Sequence, residues 1–186
     1  MMLPTLLDPT AFDHAVLTWV HAWRSPWADL AMSFVTWLGS LYVLLPVAVL
    51  LAAWRARGLP SGQRGSACFV PVALLGASVI VHTLKLAVAR TRPGLFDPLI
   101  TMPVDPSFPS AHTMQACAFA VACLLQRRHP GQVAGWVAAV TFVVLVAASR
   151  VYLQVHFPSD VLAGAVLAFG WVVVLYRVWP GRAAAP

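Results

Sequence analysis

Between Ser149 and Asp160 a cation, an imidazole and a carboxylate stand between two long apolar runs. If those runs cross a bilayer, each charge is expensive: about 2.5–3.5 kcal/mol at the centre of a span on insertion scales. Arg150, His156 and Asp160 therefore ask for a reason. His156 and Asp160 are four apart, which on a helical turn puts both on one face. A carboxylate there accepts one ring N–H and fixes the tautomer. The other ring nitrogen is left bare, as a base or a nucleophile. Arg150, one short loop earlier, offers a planar fork suited to phosphate. The competing reading is a juxtamembrane arginine beside a His–Asp pair that only caps a helix.

Two more clusters share this chemistry. In Lys85-Leu86-Ala87-Val88-Ala89-Arg90-Thr91-Arg92-Pro93 the first lysine and Arg92 are seven apart, so both point one way at the end of an apolar run. Pro93 disfavours the α region at Arg92, so the helix should end there. Snorkelling cations would give the same pattern. In Phe108-Pro109-Ser110-Ala111-His112-Thr113 the serine is an expected N-cap. The free N–H groups of such a first turn favour an anion, and His112 sits beside them. The alternative is a plain cap with a chance histidine. Together the clusters supply three cations, a helix-end anion site, two imidazoles and an aspartate. That set suits a tetrahedral oxyanion held by charge and attacked by histidine. No HExxH-like pair appears and the remaining acids are scattered, so neither a metal nor a cofactor is expected.

The elements that must position these groups are helical and apolar. The chain has 186 residues, 60% hydrophobic and only 10% charged, against about 25% charged in soluble domains. Mean hydropathy is +0.80. The pattern predicts an all-α, polytopic membrane bundle of about five transmembrane helices plus an N-terminal interfacial helix. The interfacial helix covers 12–23, where polar and apolar residues alternate at helical spacing beside tryptophans. His14 and His21 lie on it as interfacial decoration. The spans fall near 27–54, 67–90, 110–125, 132–149 and 159–178, each close to the roughly 20 residues a crossing needs. No soluble domain or repeat appears, so 1–186 reads as a single membrane-embedded domain with its motif core at 85–160. Cys68, Cys117 and Cys123 have no CxxC spacing and read as packed free thiols. No basic n-region opens the chain, so a cleaved signal peptide is not expected.

Charge sets the orientation. Arg55, Arg57, Arg64, Arg127, Arg128, Arg177 and Arg182 fall on one side of these spans. Asp8, Asp13, Asp29, Asp97, Asp105 and Asp160 fall on the other, with the motif loops. The positive-inside rule then places the motif loops outside the cytoplasm. The basic residues are scattered without stacking aromatics, so nucleic acid is not a partner. The oligomeric state is not readable.

The pattern Lys85-x6-Arg92-Pro93, then Pro109-Ser110-Ala111-His112, then Ser149-Arg150-x5-His156-x3-Asp160 resembles the three-part signature of the type-2 phosphatidic acid phosphatase superfamily. Glucose-6-phosphatase and the vanadium haloperoxidases belong to it too. Ala111 stands where most members have Gly. The layout is similar to the short bacterial undecaprenyl-diphosphate phosphatases. The resemblance implies that His156 is the nucleophile and forms a phosphohistidine, that Asp160 orients it, and that His112 is the general acid. It implies that Lys85, Arg92, Ser110 and Arg150 bind the phosphate oxygens. His82, one helical turn before Lys85, reads either as a support behind the site or, by preference, as a packing residue, and Arg90 has no assigned role.

The activity so implied is that of an integral membrane lipid phosphatase in a bacterial plasma (inner) membrane, with its site facing the periplasm or exterior. Its expected partners are the bilayer and a phosphorylated membrane lipid. Undecaprenyl diphosphate is the first choice. Phosphatidylglycerophosphate, phosphatidic acid and the 1-phosphate of lipid A stay open. A non-catalytic headgroup binder or transporter would keep the cations but would not need both histidines. The peroxidase relatives are soluble, unlike this chain.

Overall fold

Proline, serine and glycine set the breaks in a sequence that is otherwise one apolar run after another. The structure, a computed structural model, describes residues 9–126 and 133–179. The charges at Asp8, Arg127, Arg128 and Arg182 lie outside them. Among the described residues there is no strand, and seven α-helices follow in order. The first is α1 (Pro9–Ala22). The second, α2 (Pro26–Val35), opens at Ser25, whose hydroxyl accepts from the Ala28 N–H. Pro26 fills the first turn, where no N–H is needed. A 3₁₀ turn, Thr36–Gly39, follows. Then α3 (Leu41–Arg57) restarts at Ser40, whose Oγ accepts from Tyr42 N at 3.3 Å.

The single span expected over 27–54 is thus a broken pair, bent by 48°. Gly39 shows why. A Cβ there would stand 2.4 Å from Val146 Cγ1 and 3.1 Å from the His112 carbonyl oxygen. Only a bare backbone allows the chain to press this closely against its neighbours.

The remaining helices are α4 (Phe69–Val88), α5 (Ala111–Leu125), α6 (Val133–Tyr152) and α7 (Pro158–Val178). A 3₁₀ segment, Ser61–Cys68, leads into α4. Three helical stretches are long and apolar enough to cross a membrane alone: Ser61–Val88, α6 and α7; the bent pair α2–α3 makes a fourth. The remaining expected span, 110–125, is α5, which has only 15 residues, or about 22 Å against a hydrocarbon core of about 30 Å. Helices α3, α4, α6 and α7 all pack on it. A helix enclosed by its neighbours does not have to match the lipid thickness.

Small side chains let α5 be enclosed. Met114, Ala118 and Val121 meet Ala73 and Ala77 of α4 and Ala168 of α7 in one core cluster. Such residues bring membrane helices close enough to gain dispersion contacts. At Gly164 on α7 an added Cβ would lie 2.9 Å from the Ser110 carbonyl oxygen, so the start of α5 rests directly on the α7 backbone. On the outside, Trp27, Leu50, Leu86 and Val166 are 70–82% exposed. Apolar surface of this extent calls for lipid rather than water.

The two ends of the bundle differ. Phe69 packs edge-on against Tyr176 and Trp179, and Arg55 donates to Gln126, which donates to the Ser66 carbonyl. Arg55 takes part directly, and Arg57 at the end of α3, Arg64 in the 3₁₀ segment and Arg177 in the last turn of α7 share this end. The motif segments, together with α1, occupy the other, where Leu17 packs with Val151, Phe157 and Val161.

Candidate active site

Helix α4 stops at Val88, earlier than Pro93 alone requires. Ala89 takes a left-handed conformation, φ 50°, and its N–H closes on the Lys85 carbonyl at 2.9 Å. That conformation costs an L-residue about 1–2 kcal/mol. Lys85 therefore stands in the last turn, while Arg92 lies beyond the helix. Helical spacing does not bring them together, contrary to the expectation; Asp105 does. Its carboxylate lies 3.0 Å from Lys85 Nζ and 2.8 Å from Arg92 Nη2. Arg92 Nε also donates to the Asp105 carbonyl at 2.8 Å, and Lys85 donates to the Pro106 carbonyl. Burial raises the Asp105 pKa, but hydrogen bonds and charge from Lys85 and Arg92 outweigh it and hold the group at about 2.

Arg150 and His156 differ from expectation in the same way. Helix α6 runs on to Tyr152, so Arg150 is helical and not in a loop. Its Nη1 donates to Thr36 Oγ1 at 2.6 Å, and its Nε is buried with no partner among the described residues. His156 lies outside α7, whose N-cap is Phe157. It faces Asp160 across the cap and not along a helical turn, with Nδ1 3.4 Å from Oδ2. The same Oδ2 accepts from Phe157 N at 2.9 Å, which fixes the carboxylate. Arg92 Nη1 donates to His156 Nε2 at 3.2 Å. Arginine can only donate, so Nε2 presents its lone pair and Nδ1 carries the proton toward Asp160. Burial, and then the charges of Arg150 and Arg92, push His156 down to about 3, against the hydrogen bond that its ring donates to Asp160. The ring is neutral at physiological pH.

These groups share one cavity of about 510 Å³, lined among others by Lys85, Arg92, His112, Arg150 and His156. His112 is in the first turn of α5, against the 3₁₀ break at Gly39. Asp160 and Ser110 are not in the lining. Ser110 is the N-cap residue expected, but its hydroxyl does not cap α5. It accepts from Thr113 Oγ1 at 3.1 Å, while its backbone N–H donates to the Asp160 carbonyl. His82 also lines the cavity, with Nδ1 2.6 Å from the Ser78 carbonyl oxygen. A larger cleft, about 750 Å³, lies beside the backbone of 93–99 near Arg24. It has His21 but neither motif histidine, whereas the smaller one has both.

The cavity offers three cations, three imidazoles (His82, His112 and His156) and a buried N–H donor without a partner among the described residues. Such a set can hold a tetrahedral anion by charge beside a neutral imidazole that presents a lone pair. Among the described residues no group of three His, Cys, Asp or Glu is arranged to hold a metal ion.

Sequence reasoning missed four residues. Asp105 bridges two of the cations, and Thr36 holds the third. Arg90 and Asp13 form an ion pair behind Asp160. Asp13 had a signal: it shares a helix face with Leu17, four residues on, and both are fully buried.

Comparison with known proteins gives the family and the fold. A family model described as the PAP2 superfamily matches residues 66–184. Phosphatidylglycerophosphatase B of Bacillus subtilis is 32% identical over 148 residues, covering 76% of this chain and 70% of that protein. Undecaprenyl-diphosphatase of Sulfolobus acidocaldarius is also 32% identical over 148 residues, covering 77% of this chain and 66% of that protein. The crystal structure of a transmembrane PAP2-type phosphatidylglycerolphosphate phosphatase from Bacillus subtilis superposes with a TM-score of 0.78. It is 29% identical and covers 90% of this chain and 84% of that one.

Proposed function

The chain belongs to the PAP2 superfamily and hydrolyses a phosphate ester, and from that premise we propose that it cleaves the phosphate or diphosphate headgroup of a membrane lipid through a phosphohistidine on His156. The observation that carries this reading is the convergence of Lys85, Arg92, Arg150, His112 and His156 on one cavity. The cations take the non-bridging oxygens. Arg150 Nε gains the acceptor that its burial demands. Ser110, buried behind the lining, supports the site indirectly, tying the start of α5 to Thr113 and to the Asp160 carbonyl. Neutral His156 attacks phosphorus through Nε2, and Asp160 supports the charge that grows on the ring. His112 gives a proton to the departing oxygen. Water then attacks the phosphohistidine, with His112 acting as base.

The whole chain acts as one membrane-embedded domain with five spans, α5 being the short central one and α2–α3 a single bent one. Helix α1 lies in the interface. The site faces the exterior of the plasma membrane, since the basic residues collect at the opposite end. Undecaprenyl diphosphate remains the preferred substrate, on the small layout. Relatives named for undecaprenyl diphosphate and for phosphatidylglycerophosphate match this chain equally well, so phosphatidylglycerophosphate is the second reading. Phosphate release by the purified protein decides it, measured against these two lipids, phosphatidic acid and lipid A 1-phosphate. Turnover of none of them overturns the proposal.

A further inference from the structure

Arg90 is clamped between carboxylates from distant parts of the chain. Its Nη1 donates to Asp160 Oδ1 at 2.6 Å and to Ser159 Oγ at 2.7 Å. Its Nη2 donates to Asp13 Oδ2 at 2.7 Å. Ser159 holds the far acid in place, donating from N to Asp13 Oδ1 at 2.9 Å and from Oγ to Oδ2 at 2.5 Å. The guanidinium lies 4.1 Å above the Phe157 ring. Both aspartates are fully buried.

We propose that Asp13 and Arg90 are positioning residues for the reaction, acting on His156 through Asp160. The inference rests on the reading of His156 as nucleophile. Asp160 has two oxygens with two tasks. Oδ2 serves His156 and the Phe157 N–H. Oδ1 is taken by Arg90, which keeps the carboxylate from rotating. A lone guanidinium at that distance would also cancel much of the charge Asp160 offers the ring. Asp13, on the other side of Arg90, restores it: two carboxylates and one guanidinium leave a net negative charge behind His156. The N-terminal helix thereby contributes to the catalytic centre without touching substrate. A structural staple between α1 and α7 would use the same contacts but would leave turnover by the folded protein unchanged.

The test compares full-length wild type with Asp13→Asn, Arg90→Lys, Arg90→Ala and the double variant Asp13→Asn/Arg90→Ala, in lipid nanodiscs. His156→Ala is the control, and kcat, KM and Tm are measured on a lipid the wild type turns over. Partners that orient a catalytic ring are worth about 10–100-fold. Arg90→Ala should lose about 100-fold in kcat and Asp13→Asn about 10-fold, with KM within about twofold. Arg90→Lys should recover part of the loss, since it keeps the charge but not the fork. The double variant should be no worse than Arg90→Ala, because the effect of Asp13 on the Asp160 carboxylate passes through Arg90. If Arg90→Ala does not fold, Asp13→Asn and Arg90→Lys decide alone. Lower Tm with kcat near wild type in both, or a rise in KM alone, overturns the inference while the phosphatase reading stands. An active His156→Ala would remove the nucleophile and the inference with it.

Discussion

Arg92 donates to the Nε2 of His156 at 3.2 Å. The nitrogen assigned to attack thus rests against a cation assigned to bind the phosphate. In the proposed mechanism an arriving phosphate oxygen would take over that donor and free the lone pair as phosphorus comes within reach. Arg92 also donates to the Asp105 and Val155 carbonyls, so its fork is fixed before substrate binds.

Arg92→Lys should therefore be costly although it keeps the charge. An ammonium has no planar fork and cannot hold Asp105, Val155 and phosphate together. We expect kcat/KM to fall about 100-fold, equal to about 2.7 kcal/mol, measured as initial phosphate release. A loss below about threefold would mean that charge alone suffices.

Asp105 occupies Lys85 and Arg92, two of the cations proposed to bind phosphate. Asp105→Asn keeps an acceptor for Arg92 but removes the competing charge, so inorganic phosphate should inhibit about 10-fold more tightly. The wild-type carboxyl is held at about 2 and stays ionised at working pH. Its effect should disappear only as pH falls through that value. The ratio of inhibition constants, variant to wild type, should thus be the same at pH 5.5 and pH 8. An unchanged or weaker inhibition in the variant shows that Asp105 serves to align the cations rather than to compete.

The cations and imidazoles were legible in the sequence because each is a polar group with fixed spacing in an apolar setting. Lys85, Arg92, His112, Arg150 and His156 all line the cavity. What joins them was not legible. Asp105 meets Lys85 and Arg92 through a loop with no period, and Thr36 reaches Arg150 across the bundle. The all-helical fold followed from hydropathy. The break before α3 did not, because Gly39-Ser40 sits inside an unbroken apolar run and is set by contact with Val146 and His112. Its local sign was the pairing of a glycine with an N-cap serine.

Turnover should not need a divalent ion, because the described residues bring no three metal-ligating side chains together. Activity after exhaustive EDTA treatment should equal that before it. Loss in EDTA with recovery on adding Mg²⁺ or Zn²⁺ would require a different mechanism.

The site end should face away from the cytoplasm. Asp97 and Gln63 are both exposed, at opposite ends of the bundle. Native Cys68 is exposed and Cys123 partly so, so both must first be replaced by alanine. In that background, cysteine at 97 should react with an impermeant thiol reagent in intact cells. Cysteine at 63 should react only after lysis. The reverse pattern turns the protein over in the membrane.

The two histidines should fail in different ways. If His156 attacks phosphorus, His156→Ala removes the only route to the covalent intermediate. The rate should fall about 10³-fold or more, at least about 4 kcal/mol of transition-state stabilisation, whatever the leaving group. If His112 protonates the departing oxygen, His112→Ala should hurt most with a poor leaving group such as a lipid alkoxide. A leaving group of low pKa needs less help, so p-nitrophenyl phosphate should recover part of the lost rate. Burial and the neighbouring arginines hold His156 near 3, and the reactive ring is the neutral one. The loss due to His156 protonation should therefore appear only as pH falls toward 3, and not between pH 5 and 8. Asp160→Asn should lie between the two, since it weakens the support of the ring without removing it. Acid-labile, base-stable phosphate should be trapped on the wild type and be absent from His156→Ala. Equal losses of both histidine variants on both substrates, or label still trapped on His156→Ala, would reject this division of roles.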